Sequence, residues 1–370
     1  MPPRLKILHV NPETQWGGGE VQVLELTTSL SRAGHHSVVA AHPDGVLSRR
    51  LAAAGLPVCA FAIRNHLDVP AGVRLRRLVR AGGYDLVHFH TARAHALSPW
   101  LAGVPVKRIV TRRMDYAVRR GPATRFLYTR QVDAVVAISA GVRGALLAAG
   151  VPASSIHLIP SGVRTTRFAP DPEARVRVRH SYGFADSERV VLSVGALVTR
   201  KGHHTLLQAA YALKTQGLPL RYLICGEGEL RPALETEARR LGLAAEVSFA
   251  GFCPDVAHIL AAGDFFVHVP AWEGLGVAVI EALAASLPVI ASRVGGIPEL
   301  IADRQTGLLV PPQDPPALTA ALRRLVQDPP YAAALGKAGQ AFARAHFDAE
   351  VMAERNEALY YRVLGLCGAS

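Results

Sequence analysis

The feature that most constrains this chain is an alternation of short apolar runs with stretches whose apolar positions recur at helical spacing. Parallel strands buried on both faces read as unbroken apolar runs, and the helices that connect them read as amphipathic, so the alternation specifies parallel sheets wrapped by helices. It occurs in two series. The first places strands at Leu5–Val10, Ser37–Ala41, Leu86–His90, Arg108–Thr111, Ala134–Ile138 and Ile156–Ile159. Helices in that series run over Glu20–Ala33 and from an N-cap at Ser139 through Leu147. The second places strands at Val190–Val194, Arg221–Cys225, Glu246–Phe249, Phe265–Val269 and Pro288–Ala291, with a helix from His204 to Thr215. Pro160-Ser161-Gly162 and the polar, Arg-rich stretch 164–180 read as a linker between them, and a last helix covers Ala349–Leu364.

A chain of 370 residues also exceeds the length, roughly 250–300 residues, at which one core stops growing. The reading is therefore α/β, with two doubly wound domains at 1–165 and 166–345. The helical segment 346–370 is a candidate to pack back on the first. Cysteines at 59, 225, 253 and 367 form neither a C-x-x-C pair nor a zinc-ligand pattern, which fits a reducing compartment. Neither an apolar leader nor a membrane-spanning run of about 18 residues occurs, so the expected location is cytoplasmic.

The net charge of +12 is unevenly placed: residues 1–170 hold 22 Lys and Arg against 8 Asp and Glu, whereas residues 171–370 hold 19 against 21. Arg74, Arg76, Arg77 and Arg80 cluster among Leu75, Leu78 and Val79; Arg112, Arg113, Arg119, Arg120, Arg125 and Arg130 cluster with Tyr116, Phe126 and Tyr128. These clusters make an anionic acceptor or an anionic membrane surface a candidate partner, with the protein peripheral at the inner face of the membrane. Nucleic acid is not expected, because no pattern of basic residues with stacking aromatics occurs.

In open parallel sheets ligands bind at the carboxyl ends of the strands, so unusual residues in strand-to-helix loops carry the chemistry. Gly17-Gly18-Gly19 follows the first strand and allows close backbone approach to an anion or sugar. Its spacing lacks the third glycine of a dinucleotide fingerprint, whose place is Gln22. Arg200 and Lys201 precede a helix, a planar fork and a point charge suited to a diphosphate. Glu227, in Gly226-Glu227-Gly228-Glu229, and Phe252, in Gly251-Phe252-Cys253, follow further strands; the Phe252 ring could meet a flat base.

The most informative segment is W-E-G-L-G-V-A-V-I-E-A-L, with Glu273 in a loop and Glu281 eight positions on, inside an apolar helix where an unpaired charge is costly. Gly274, Leu275 and Gly276 leave that helix's N-terminus bare for a phosphate, with Glu281 within reach of a polyol such as ribose and Glu273 facing the group beyond the phosphate. The bland alternative is that Glu273 caps the helix and Glu281 pairs with a core arginine. In the first domain, His88 and His90 end one strand, with His90 the better placed, and Arg112, Arg113 and Asp115 end another, where a cation could hold an anionic acceptor.

These motifs together resemble the retaining glycosyltransferases of family 4, which have the GT-B fold. The resemblance runs from G-G-G-E through V-H-F-H, S-A-G-V-R-G-A-L-L-A-A-G-V-P, V-G-A-L-V-T-R-K-G and I-C-G-E-G-E-L-R to F-A-G-F, the Glu273/Glu281 segment and S-R-V-G-G-I-P-E-L. It implies two Rossmann-like domains facing a central cleft, a nucleotide-sugar donor held mainly by the second and a glycan or lipid-linked acceptor held mainly by the first. By resemblance, Gly18, Gly19, Arg200, Lys201, Glu227, Phe252, Gly274, Leu275, Gly276 and Glu281 bind the donor. Arg112 and Arg113 bind the acceptor, and Glu273 and His90 are catalytic. The mechanism implied is front-side attack assisted by the departing phosphate, with no metal and no cofactor, and no D-x-D motif occurs. The chain departs from the family at Ala196, Arg113, Ser286, Ser161 and Arg164. A sugar-nucleotide epimerase or other enzyme of the same fold, or a non-catalytic anion-binding protein, are the competing readings.

Overall fold

A computed structural model describes residues 3–114, 118 and 120–366. Asp115, Tyr116, Arg119 and Cys367 lie outside the described residues. The chain divides into two compact units, Met1–Val163 with Ala349–Ser370, and Arg164–Asp348.

In the first unit, strands β1 (Lys6–Asn11), β2 (His36–Ala41), β3 (Val58–Ala60), β4 (Leu86–Phe89), β5 (Lys107–Arg112), β6 (Ala134–Ala137) and β7 (Ile156–Leu158) form one parallel sheet, ordered β3-β2-β1-β4-β5-β6-β7. The order reverses direction between β1 and β4, whose pairing sets His9 beside His88. Loops leaving those two strands diverge to opposite faces, and the gap they open is where such sheets bind ligands. The helix Gly18–Arg32 begins inside the glycine run, and Ser139 caps the helix Ala140–Ala148 by accepting from Val142 N at 3.1 Å.

The second unit repeats the architecture with β8 (Val190–Val194), β9 (Arg221–Cys225), β10 (Val247–Gly251), β11 (Phe265–His268), β12 (Val289–Ser292) and β13 (Leu308–Val310), ordered β10-β9-β8-β11-β12-β13. Its reversal lies between β8 and β11. Two doubly wound parallel sheets with flanking helices are the GT-B arrangement that the resemblance implies.

Three expectations need correction. Strands β3 and β13 are not foreseen, because each is a three-residue edge strand too short to show a period. The Arg-rich stretch 164–180 is no simple linker: it contains the helix Pro172–Ser181, opened by Asp171, which accepts from Ala174 N at 2.8 Å. Two of its arginines are structural. Arg179, 1% exposed, donates to the carbonyls of Ala262 at 3.1 Å and Ala185 at 2.7 Å and pairs with Asp264 at 3.3 Å; Arg175 pairs with Asp264 at 2.9 Å. A guanidinium satisfies several orphan acceptors at once, which makes its burial tolerable.

Third, two of the three apolar residues among the first arginine cluster are committed to the core, and Leu78 is half-buried. Leu75 and Val79 are buried on the core side of the helix Val69–Gly82, and Tyr128 is buried in the second cluster. Arg74 donates to Ala62 O at 2.8 Å, and Arg76 to Trp100 O at 2.7 Å and Ala102 O at 2.8 Å. Arg74, Arg77, Arg80, Arg125 and Phe126 remain exposed.

The last helix, Ala349–Leu364, belongs to the first unit. Met352, Ala353, Leu359 and Tyr360 join Leu5, Ile7, Leu26, Leu30 and Leu86 in one core cluster. His35 Nε2 bonds Glu357 at 2.8 Å, and Tyr361 OH donates to Pro3 O at 2.9 Å.

Candidate functional site

In the second unit the loops after β8, β9 and β10 are tied edge to edge. Gly195 N donates to Cys225 O at 2.9 Å, Leu197 N to Glu227 O at 2.9 Å, and Gly226 N to Gly251 O at 2.8 Å. Gly202 sits at φ +72°, and a Cβ there would lie 1.9 Å from Val269 O, so only glycine lets the loops after β8 and β11 cross so closely. Ala271 N then donates to Arg200 O at 2.8 Å, bringing Arg200 and Lys201 alongside Glu273.

Glu273 is the hub. Its carboxylate accepts from Lys201 Nζ and from His268 Nε2 at 3.1 Å, and lies 3.7 Å from Arg200. Burial by itself would push this carboxyl up, but His268 and the Lys201 ammonium outweigh it and hold the group well below the usual carboxylate range. The Lys201 ammonium is pushed down by burial, with Glu273 opposing. His268 is also pushed down by burial and then by Lys201, which leaves it a neutral donor to Glu273. Neutral His203 is held down to about 4 by burial, and its Nε2 lies 3.3 Å from Ala196 O. Two fixed cations thus face one carboxylate, a surplus of positive charge at a strand-to-helix loop.

Beyond Glu273, Gly276 stands at φ +98° as the N-cap of the helix Val277–Ala284 with no side-chain cap, so Glu273 does not cap that helix. The first backbone N–H groups are left for an anion. Leu275 is buried, so only its backbone can serve a ligand, and Glu281 is half-buried. Glu227 pairs with Arg231 at 2.9 Å, and the Phe252 ring is half exposed.

The first unit holds a separate buried polar cluster on the face of the sheet covered by the helices Gly18–Arg32 and Ala349–Leu364. Arg113 Nη2 donates to His90 Nδ1 at 3.2 Å, and His90 Nε2 lies 3.0 Å from His9 Nδ1. A guanidinium only donates, so His90 Nδ1 accepts and its proton resides on Nε2. That proton is donated to His9 Nδ1, which puts the proton of His9 on Nε2. His9 Nε2 is buried with no hydrogen-bond partner among the described residues. His88 bonds Tyr360 OH at 2.7 Å through Nδ1 and Thr111 Oγ1 at 2.7 Å through Nε2. All three imidazoles are kept neutral by burial, His9 down to about 3. Their nitrogens lie within 4.8 Å of one another, but the bonds to hydroxyls and the Arg113 cation make the group a poor cation site.

Of the residues expected in this unit, the structure brings Gly19, His90 and Arg113 together. A Cβ on Gly19 would lie 3.6 Å from Arg113 Cδ. The Arg113 guanidinium is pushed down by burial to about 10, with Glu20 opposing. Gly18 opens the helix beside them. Arg112 is not brought together with His90; its charge acts on His95 instead. Both ring nitrogens of His90 are engaged, Nδ1 by Arg113 and Nε2 by His9. Sequence reasoning missed His268, His9 and Tyr360. The one available signal is His268, which ends β11 five residues before Glu273.

Comparisons with known proteins bear on both units. Residues 16–167 match the family model described as Glycosyltransferase Family 4, and residues 175–342 match that of Glycosyl transferases group 1. The chain is 34% identical over 287 residues to the GDP-mannose-dependent alpha-(1-6)-phosphatidylinositol monomannoside mannosyltransferase of Mycolicibacterium smegmatis, covering 73% of this chain and 74% of that protein. Among solved structures it is similar to Anabaena Alr3699/HepE in complex with UDP and glucose, with a TM-score of 0.86 at 22% identity over 96% of this chain and 99% of that one. It is also similar to sucrose-phosphate synthase from Thermosynechococcus elongatus, with a TM-score of 0.81 at 24% identity over 98% and 100%.

Proposed function

This chain belongs to the family 4 glycosyltransferases of the GT-B fold, and from that premise we propose that it moves a sugar from a nucleoside-diphosphate sugar to a hydroxyl of a glycan or lipid-linked acceptor, with retention and without a metal ion. The observation that carries this reading is the surplus positive charge at the reversal point of the second sheet, where, among the described residues, Arg200 and Lys201 pair with the one carboxylate of Glu273 beside an uncapped helix N-terminus. A diphosphate supplies the missing negative charge. As the bond from the anomeric carbon to the diphosphate oxygen breaks, charge grows on the leaving group, where fixed cations and backbone N–H groups stabilise it most. The acceptor hydroxyl attacks on the same face and passes its proton to the departing phosphate, which removes the need for a separate base. In this reading Glu273 contacts the transferred sugar, Glu281 the ribose and Phe252 the base, while Arg113 meets the acceptor.

The mycobacterial relative is named for GDP-mannose and a phosphatidylinositol mannoside, and a similar structure holds UDP and glucose. GDP-mannose and UDP-glucose are therefore the first donors to assay, and lipid-linked acceptors the first acceptors. Calorimetric titration with GDP and UDP in the presence of EDTA should show binding, and product NMR should show the donor's anomeric configuration kept. Indifference to every nucleoside diphosphate, a strict requirement for a divalent cation, or an inverted product would each overturn the corresponding part.

A further inference from the structure

Cys225 and Cys253 are 28 residues apart in sequence but meet in the fold. Cys225 is the last residue of β9, buried, and its register partner on β10 is Gly251. Neighbouring strands run about 4.8 Å apart. Two residues after Gly251 the chain turns back, so that half-buried Cys253 places its Sγ 3.5 Å from Gly251 O. Gly226, the residue after Cys225, donates its N–H to the same Gly251 O at 2.8 Å, which sets Cys253 Sγ against the carboxyl end of β9. Both cysteines are free thiols.

We propose that Cys225 and Cys253 form a redox-active dithiol, which closes to an intramolecular disulfide by exchange with a small disulfide such as oxidised glutathione. Cys253, the more exposed, attacks one sulfur of the small disulfide. That S–S bond breaks, the released thiolate takes up the Cys253 proton, and Cys253 is left as a mixed disulfide. Cys225 then attacks the Cys253 sulfur and expels the second small thiolate, which takes up the Cys225 proton. The protein gives up two electrons and two protons, and one small disulfide becomes two thiols. Access sets the order, because Cys253 is half-buried whereas Cys225 is buried at the end of its strand. The bond would join the end of β9 to the turn that carries Phe252.

The test is independent of the donor reading, because it reads masses. The full-length protein is incubated with oxidised glutathione, alkylated and digested without reduction. A cross-linked peptide containing Cys225 and Cys253, two hydrogens lighter than the sum of its parts and removed by dithiothreitol, is expected. Cys225→Ser should leave glutathione trapped on Cys253, whereas Cys253→Ser should leave Cys225 unmodified. The proposal is overturned if the parent protein yields only a glutathione adduct on Cys253 with no cross-link, if Cys225 links to Cys59 instead, or if Cys225 is modified as readily in Cys253→Ser as Cys253 is in Cys225→Ser.

Discussion

In the proposed function Lys201 and Arg200 each bring a charge toward a diphosphate, but of the two only Lys201 is hydrogen-bonded to the Glu273 carboxylate, so they should respond differently to replacement. Either change to Ala should weaken nucleoside-diphosphate binding by about 1.5–3 kcal/mol, the range for hydrogen bonds to charged groups. Lys201→Ala should also destabilise the fold, since it leaves Glu273 with His268 and a more distant Arg200. Glu281→Ala should weaken the bare nucleotide as well, whereas Glu273→Gln should leave that affinity nearly intact and lower turnover on the order of a hundredfold. Calorimetry beside initial rates separates these outcomes. At the same scale, each buried imidazole of His9, His88 and His90 binds its proton more weakly folded than unfolded. Their contribution is complete above the unfolded value of 6.5 and drains as pH falls below it, by up to about 1.4 kcal/mol per pH unit for each ring. His9→Phe should therefore make the loss of stability between pH 6.5 and about 4 shallower by one proton's worth, read from urea unfolding at several pH values.

At the scale of elements, Gly202 shows how closely two loops must pass to assemble the site. Gly202→Ala meets Val269 O and an unfavourable φ together, and should cost well over 1 kcal/mol in thermal unfolding while weakening nucleotide binding, because Arg200 and Lys201 are displaced with the loop. The helix Val69–Gly82 makes a different prediction. Leu75 and Val79 are committed to the core, so attraction to anionic vesicles should rest chiefly on the exposed Arg74, Arg77 and Arg80. Charge reversal at Arg77 and Arg80 should sharply reduce co-sedimentation with anionic liposomes at low salt, and raising salt should do the same to the parent. Binding that is strong at high salt would contradict that account. Among the described residues no helix is long and apolar enough to cross a membrane.

For the whole molecule, the decisive fact is that the first unit is completed by the end of the chain. Residues 349–364 supply Met352, Leu359 and Tyr360 to its core and the hydroxyl that satisfies His88. Deleting residues 349–370 exposes apolar surface on Leu26, Leu30 and Ile7 and leaves a buried imidazole nitrogen without its partner. The first unit should then lose its cooperative transition, while the second, whose core is its own, keeps one. Calorimetric scanning of the truncated chain, with and without a nucleoside diphosphate, would show a single remaining transition that shifts upward with ligand.

Periodicity made much of the fold legible. Val190–Val194, Arg221–Cys225 and Ala349–Leu364 form over the residues that their spacing predicts, because burial on both faces of a strand, or along one face of a helix, leaves a local imprint. The place of Arg200 and Lys201 in a strand-to-helix loop and the bare helix start after Gly276 were legible for the same reason, since each depends on neighbours in the chain, whereas the sequence left open that Glu273 caps that helix. What remained hidden depends on residues far apart in sequence. The pairing of β9 with β10 alone brings Cys225 to Cys253; the turn of the loops after β8 and β11 alone sets Lys201 on Glu273. Arginines 175 and 179 look like a solvated linker until Asp264 and the carbonyls of 261–263 are placed beside them. The sequence by itself determined which segments become strands and helices, through the pattern of burial each could support. The tertiary structure decided which buried polar groups satisfy one another, because the cost of desolvating a charge can be offset only by partners that the packing delivers.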